Sequence, residues 1–524
     1  MMTRKTSGSS SKDNSSVEQI LPIEPQDGVG PREEGMNRLS IVRQLGPLLL
    51  AAILIAGCGS TSPPIPAPLD GNNLNLIFVV SEDLNFSAPG DLNPGTANLT
   101  NRGLQRVLMM GSFLKQRVLG GGTPNGIYAL EAMTHLQTAN MYPDIVALET
   151  IQQFAMLNQF TIVQQGYPTA TANSYPIFAS YLQGSVPDQS LVAPPVFYCD
   201  ACQGLDFTDD NGDNEVLLSG ILEANVPGYY VFSAPWETVS AVLASTNQMG
   251  NYNLPIPARY AGPNIVYAIA ITHSGSATLL TYDSQLNPPF IYPVLPSLAN
   301  VSRACPAATI NIQVTGGVGG AVIPAGINTN ETVYMIRHAD AHPTPDWDDG
   351  NYIGAGQWRA LYLPEALSGK IQPSEVYSID PTNDIPAAVQ DAVPSSYVRP
   401  LLTAAPYAIA NNLPYSLAAS VPVFRIDQSA PNLATLASNF FFASNRPNFS
   451  NKTILVAWEH DHIPPTVNAL ITSYGVSQAA LSWSDSDYDS IWTIQLDAQG
   501  NLSVDNALCE GIDSNLLPST PPQF

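Results

Sequence analysis

The feature that most constrains this chain is a pair of short apolar runs that each stop on histidine. Thr332 to Ile336 (TVYMI) leads straight into Arg337 and His338, and Thr453 to Trp458 (TILVAW) leads into Glu459, His460, Asp461 and His462. Unbroken runs of this length, rich in β-branched and aromatic side chains, read as buried strands of an α/β sheet. Open sheets of that kind bind ligands just past the carboxyl ends of their strands, so both runs deliver ionisable groups to the place where a site is built. Histidine is scarce here: the chain has 6 in 524 residues, and His338, His342, His460 and His462 all fall in these two segments. Arg337 suits the binding of an oxyanion, and His338 suits attack on one.

Two further motifs lie between the runs, in order. Gly356-Gln357-Trp358-Arg359-Ala360-Leu361 opens a helical pattern, and Arg399 stands four residues before Thr403-Ala404. Together with Arg337-His338-Ala339 and the strand-end His460, this ordered set resembles the histidine phosphatase (phosphoglycerate mutase-like) superfamily. The resemblance implies that neutral His338 attacks phosphorus in line to form a phosphohistidine that water then hydrolyses, with Arg337, Arg399 and His460 around the equatorial oxygens. It implies a small phosphomonoester as substrate and no cofactor. For the proton donor to the leaving oxygen the residues offer Asp461, Glu459 and Asp340. The acid phosphatase and phytase branch places Asp directly after the second histidine, which favours Asp461. That branch also carries a further arginine in its first motif, where this chain has Ala341 and keeps only Pro343.

Two other readings stay open. His460, Asp461 and His462 with His338 and His342 form an imidazole and carboxylate set of the kind that holds a divalent metal, which would make a metal-dependent hydrolase. Arg337 next to the first cluster opposes a cation, so no metal ligand is assigned, and His342 and His462 are read as pocket lining. The last reading is a surface lipoprotein that binds but does not turn over.

The first half of the chain reads as a worn copy of the second. Asn75 to Asp83 (NLIFVVSED) parallels TVYMIRHAD with Val80 and Ser81 in place of Arg337 and His338, and Gly103-Leu104-Gln105-Arg106-Val107-Leu108 repeats the Gly-x-x-Arg step. Leu104, Val107, Leu108, Leu114 and Val118 mark one buried helical face. Thr138-Ala139 follows Thr134, which stands for Arg399, and YYVFSAPWETVSAV stands for the second histidine strand without its histidines. The fold expected is α/β: two tandem three-layer α/β/α lobes over 73–300 and 301–524, each a mostly parallel sheet covered by helices. The acidic loop carrying Asp206, Asp209, Asp210, Asp213 and Glu215 misses the register of a calcium loop and reads as a solvated turn.

The amino terminus sets the expected compartment. Arg38 and Arg43 precede an apolar run from Leu45 to Ala56, and Ile55-Ala56-Gly57-Cys58 resembles the bacterial lipoprotein box. The resemblance implies a signal peptide over 36–57, lipidation of Cys58, and a lipid-anchored protein of the bacterial cell envelope. Gly59 after that cysteine speaks for the outer membrane or the periplasm-facing side. Residues 1–35 are a polar prefix, read as untranslated or as a long cytosolic n-region, and 58–72 a Pro- and Ser-rich tether. Setting Cys58 aside leaves an even four cysteines, read as Cys199 with Cys202 and Cys305 with Cys509. With 43 acidic against 19 basic residues the net charge is −24, which disfavours nucleic acid as a partner and makes a local arginine pocket conspicuous.

Overall fold

A computed structural model describes residues 65–162, 170–179, 204–209, 212–296, 298, 301–341, 349–381, 384–385, 395–418, 433–443, 447–477 and 480–524. The expected signal segment, Cys58, Cys199, Cys202, Asp210 and His342 lie outside the described residues. No helix among the described residues is long and apolar enough to cross a membrane.

The first strand, β1 (Leu74–Val80), is buried at every position, as an unbroken apolar sequence requires of a strand covered on both faces. After it come α1 (Asn101–Phe113), β2 (Gly126–Ala129), α2 (Val146–Met156), α3 (Asp213–Ala224), β3 (Gly228–Ala234), α4 (Trp236–Gly250), β4 (Ile265–Ile271) and β5 (Ala277–Asp283). The strands form a sheet in the order β2-β3-β1-β4-β5. The five residues expected to share a helical face, Leu104, Val107, Leu108, Leu114 and Val118, are all buried.

The second sheet repeats this plan. β6 (Asn311–Val314), β7 (Glu331–Arg337), α5 (Gly354–Ala366), β8 (Glu375–Ser378), α6 (Arg399–Ala410) and β9 (Tyr415–Leu417) are followed by α7 (Leu433–Phe442), β10 (Thr453–Trp458), α8 (Ile463–Ser473), β11 (Ser490–Leu496) and β12 (Leu502–Cys509). Their order is β6-β12-β11-β7-β10-β8-β9. Five of them, β8-β10-β7-β11-β12, match β2-β3-β1-β4-β5 in order and in direction.

Both sheets are mixed rather than mostly parallel. β4 pairs antiparallel to β1 on one side and to β5 on the other, and β11, β12 and β6 form the same kind of antiparallel edge beside β7. A local reason fixes two of these pairs: His273-Ser274-Gly275 between β4 and β5 and Ala498-Gln499-Gly500 between β11 and β12 are tight turns, with Gly275 and Gly500 at φ +82° and +77°, and a tight turn can join only antiparallel strands.

Helices cover both faces of each sheet. Inward residues of β1, β2, β3, β7, β8 and β10 share one continuous core with α1, α2, α5 and α6, while α3 with α4 and α7 with α8 cover the outer faces. The two sheets therefore meet through a common helical layer. Gln152 and Asn351 exchange amide hydrogen bonds across it, and Gln357 donates to Gln153 at 2.6 Å. Part of the expected tether is docked on the first sheet: the Leu69 amide donates to Val118, and the Tyr229 and Tyr282 hydroxyls donate to the carbonyls of Leu69 and Ala67. The expected Cys305–Cys509 disulfide is present and closes a sequence separation of 204 residues, a crosslink that in the chain-entropy account removes about 5 kcal/mol of chain entropy from the unfolded state.

Candidate active site

Strand β7 ends at Arg337, and the His338 amide continues the ladder by donating to the Trp458 carbonyl at 2.8 Å. That bond brings the tips of the two histidine-bearing runs side by side. The loop beyond His338 is then fixed by three contacts. The Ala339 amide donates to Thr403 Oγ1 at 2.8 Å, and Thr403 Oγ1 donates to the Arg399 carbonyl one helical turn back. This is what the Arg-x-x-x-Thr spacing accomplishes. The Asp340 carbonyl accepts from the Ile353 amide at the start of α5. A Cβ on Gly356 would lie 2.4 Å from that same carbonyl, so the position needs glycine for close approach.

Asp340 is not a proton donor here. Its carboxylate takes Arg359 Nε at 2.6 Å, and Arg359, fully buried, also takes Glu510 at 2.6 Å. The Gly-x-x-Arg motif is thus a buried brace under the loop.

His338 is 1% exposed. Its Nδ1 lies 2.8 Å from the Ala339 carbonyl; a carbonyl only accepts, so Nδ1 carries the proton and Nε2 keeps its lone pair. Burial, then Arg399, then Arg337 hold the imidazole well below its ordinary pKa, so the ring stays neutral.

The two arginines are held from behind. Arg337 lies 3.8 Å over the Tyr488 ring and donates Nη1 to the Asp485 carbonyl at 2.5 Å, and Arg399 lies 4.6 Å over the Tyr397 ring. Arg337 is 5% exposed, yet its Nε finds no partner among the described residues. An orphaned buried donor of this kind costs about 1–3 kcal/mol, which an incoming oxyanion would return.

Beside them, Glu459 Oε1 lies 2.5 Å from His460 Nδ1 and Oε2 is hydrogen-bonded to His462 Nδ1 at 2.9 Å. Burial opposes its charge, but the hydrogen bonds from His460 and His462 outweigh that and hold its carboxyl well below the usual range. A carboxylate fixed in the ionised state cannot donate a proton. His462, read as pocket lining, therefore acts behind Glu459. Asp461 is half-exposed with Oδ1 3.6 Å from His460 Nε2, and Asp485 Oδ1 is 3.2 Å from the same nitrogen. The structure thus gathers Arg337, His338, Arg399, His460 and Asp461 at one strand-end cluster and adds Tyr397, Tyr488 and Asp485. Sequence reasoning missed those three: Asp485 and Tyr488 lie in WSDSDYDS, which carries no local signature and arrives only through the pairing of β11 with β7, and Tyr397, two residues before Arg399, has no signature of its own.

At the matching place on the first sheet, the Ser81 amide donates to the Ala234 carbonyl as His338 does to Trp458. Asp91 accepts Arg106, its carbonyl takes the Thr100 amide, and a Cβ on Gly103 would clash with it at 2.2 Å. The brace recurs, with Ser81 at the position of His338. One expected match moves: Thr138-Ala139 lies in the turn of a small hairpin, Leu136–Gln137 with Tyr142–Pro143. α2 begins at Val146, so by position Val146 stands for Arg399 and Thr150 for Thr403. The hairpin inserted after β2 displaced the alignment. In the acidic loop, the Asp209 carboxylate accepts the Asn214 amide and serves the start of α3.

Neither a known family model nor a curated protein matches this chain. Among solved structures, it is similar to phosphoglycerate mutase from Plasmodium falciparum at 12% identity, covering 36% of this chain and 96% of that one, with a TM-score of 0.21. It is similar also to a mycobacterial glucosyl-3-phosphoglycerate phosphatase at 13% identity, covering 33% and 97%, with a TM-score of 0.22. Likenesses this faint carry no inference about chemistry, which rests on the geometry above.

Proposed function

We propose that this protein is a phosphohydrolase that cleaves small phosphomonoesters through a phosphohistidine on His338. The observation that carries the reading is a buried imidazole with its Nδ1 proton committed to the Ala339 carbonyl, flanked by two buried arginines of which Arg337 has an orphaned Nε. In the first step the Nε2 lone pair attacks phosphorus, the P–N bond forms, the ester P–O bond breaks, and the leaving oxygen takes a proton from a carboxylic acid. Water then attacks phosphorus, the P–N bond breaks, and the proton returns to that carboxylate. Arg337, Arg399 and His460 stabilise charge on the transferring group, the largest lever in such a reaction. Asp461 is the acid favoured here, since Asp340 is committed to Arg359 and Glu459 is held ionised. Asp485 is its neighbour and rival.

The organisation proposed with it is a signal peptide over 36–57, a lipid on Cys58, a catalytic lobe over 301–524 and a degenerate copy over 73–300 that packs against it. The matching strand orders support the duplication. Anchoring places the protein at the bacterial cell envelope; Cys58→Ser should release it from the membrane fraction, and retention would count against the lipid.

A metal-dependent hydrolase is the second reading, favoured by one observation: single ligand atoms of His338, Glu459 and His460 lie within 4.8 Å of one another. The adjacent arginines oppose it. Hydrolysis of an aryl phosphate across pH 4 to 8, with and without chelator and beside His338→Ala, separates the readings. Turnover that survives chelation and disappears in the variant supports phosphohistidine chemistry, loss only on chelation supports the metal, and no turnover at any pH leaves a binding protein.

A further inference from the structure

We infer that Tyr397 and Tyr488 are positioning residues that fix the planes of the two site arginines and seal the imidazole between them. The inference rests on the phosphotransfer reading and adds how its positive charge is aimed. Each tyrosine touches two members of the site. The Tyr488 ring face lies under Arg337 at 3.8 Å, and the Tyr397 ring face under Arg399 at 4.6 Å. Both rings also meet His338 edge-on, each with centroids 6.0 Å apart and interplanar angles of 88° for Tyr397 and 63° for Tyr488.

The chemistry of the stack explains why a ring suits this task better than a carboxylate. A guanidinium gives all its hydrogen bonds in its own plane, so a partner on its face fixes that plane and consumes no donor. A carboxylate would take the donors that an oxyanion needs, and its charge would offset theirs. Edge-on contact with His338 meanwhile excludes water from the imidazole, which keeps its charged form unfavourable.

Tyr488 is itself anchored. Trp483 Nε1 donates to the Asp487 carbonyl at 2.8 Å and stacks on Trp492, while the Asp487 carboxylate takes the Asp489 amide and the Ser490 hydroxyl. The same loop presents the Asp485 and Asp487 carbonyls to Arg337 Nη1. One face and one nitrogen of Arg337 are thus committed to the loop, while its Nε has no partner among the described residues. Tyr397 acts over a shorter span, two residues before Arg399, with its hydroxyl accepting from Arg399 Nη2 at 3.4 Å.

The test uses the full chain in detergent, with Tyr488→Leu and Tyr488→Phe. Leucine keeps apolar bulk at a half-buried position, and phenylalanine keeps the ring face. Inorganic phosphate affinity is measured by calorimetry, and kcat and KM for an aryl phosphate are followed against pH. Tyr488→Leu is expected to weaken phosphate by at least about tenfold, to raise KM, and to move the acid limb of kcat/KM to higher pH as water reaches His338. Tyr488→Phe should return phosphate affinity to within about threefold of the native chain, and Tyr397→Leu should repeat the loss through Arg399. Phosphate affinity in Tyr488→Leu that stays within threefold, with an unmoved pH profile, overturns the inference, as does a phenylalanine variant as impaired as leucine. A native chain that binds phosphate but turns nothing over refutes the hydrolase reading alone, since the calorimetric arm still decides the tyrosines; a native chain that binds no phosphate overturns both.

Discussion

The two sheets of this molecule share strand order, strand direction and the helices on each face, yet they differ at one strand tip. On the second sheet β7 hands over to Arg337 and His338; on the first β1 hands over to Ser81, with Glu82 and Asp83 beyond it. What both retain is the brace: a glycine that lets a helix approach an aspartate carbonyl, and a buried arginine that pairs with that aspartate's carboxylate. The comparison separates two kinds of motif residue that look alike in sequence. Gly-x-x-Arg holds the fold and recurs in both places. Arg-His makes the site and occurs in one.

The sharpest way to break that contrast is to exchange roles between the tips. His338→Ala should lower kcat for an aryl phosphate by at least about 10⁴-fold, roughly 5 kcal/mol of barrier, whereas Ser81→Ala should leave it unchanged. Comparable losses from both would mean that the first tip takes part in the chemistry. Next in size is the brace. Arg359→Leu orphans Asp340 and Glu510, whereas Arg106→Leu leaves Asp91 with its longer contact to Arg102; removing one partner of a buried ion pair costs about 3–5 kcal/mol, so unfolding free energy should fall by that amount for Arg359 and by less for Arg106. A negligible loss at Arg106 would show that the first brace is a relic without structural duty.

Gly356→Ala and Gly103→Ala should each cost about 1–3 kcal/mol, because a Cβ would meet a backbone carbonyl that cannot move without shifting the helix. Calorimetric melting of the two variants gives the comparison directly, and equal losses are expected.

The smallest effect is the dependence of stability on pH. Burial, with Asp91 nearby, pushes Glu82 up to about 8, and burial with Glu237 pushes Asp83 up to about 7. On the second sheet burial pushes Glu331 up to about 8. A carboxyl with a folded pKa above its unfolded one keeps its proton in the native state where the unfolded chain has lost it. Its contribution is therefore complete below the unfolded value near 4.5 and is lost as pH rises through about 7 to 8. The melting temperature should fall between pH 5 and pH 8, and Glu82→Gln should flatten part of that slope. An unchanged slope would mean that Glu82 does not carry it.

Much of the candidate site was legible because its residues sit at fixed offsets from apolar runs. Arg337, His338 and His460 stand where apolar strand runs end, so local pattern located them, while Arg399 with Thr403 was found through the resemblance to the histidine phosphatase motif order. The choice among Asp461, Glu459 and Asp340 as proton donor was not legible to the same degree: whether a carboxylate donates a proton depends on its partners, and Arg359, His460 and His462 reach Asp340 and Glu459 only through folding. The mixed sheets were visible in principle, in the short turns at Gly275 and Gly500, but the apolar strands beside them also fit a parallel assignment. The Thr138-Ala139 match failed because composition survives an inserted hairpin and position does not.

By itself the sequence pointed to the α/β class, through the periodicity of its apolar runs, to the strand that ends in Arg337 and His338, to the recurrence of the Gly-x-x-Arg step, and, from an even cysteine count, to the pairing of Cys305 with Cys509. Tertiary structure alone decided that two sheets share one helical layer, that Asp340 is structural, and that Tyr397 and Tyr488 flank His338. The physical reason is distance along the chain. Local spacing is written in the order of residues, whereas Tyr488 meets Arg337 only because β11 pairs antiparallel to β7, and a pairing of that kind is selected by the packing of the whole sheet.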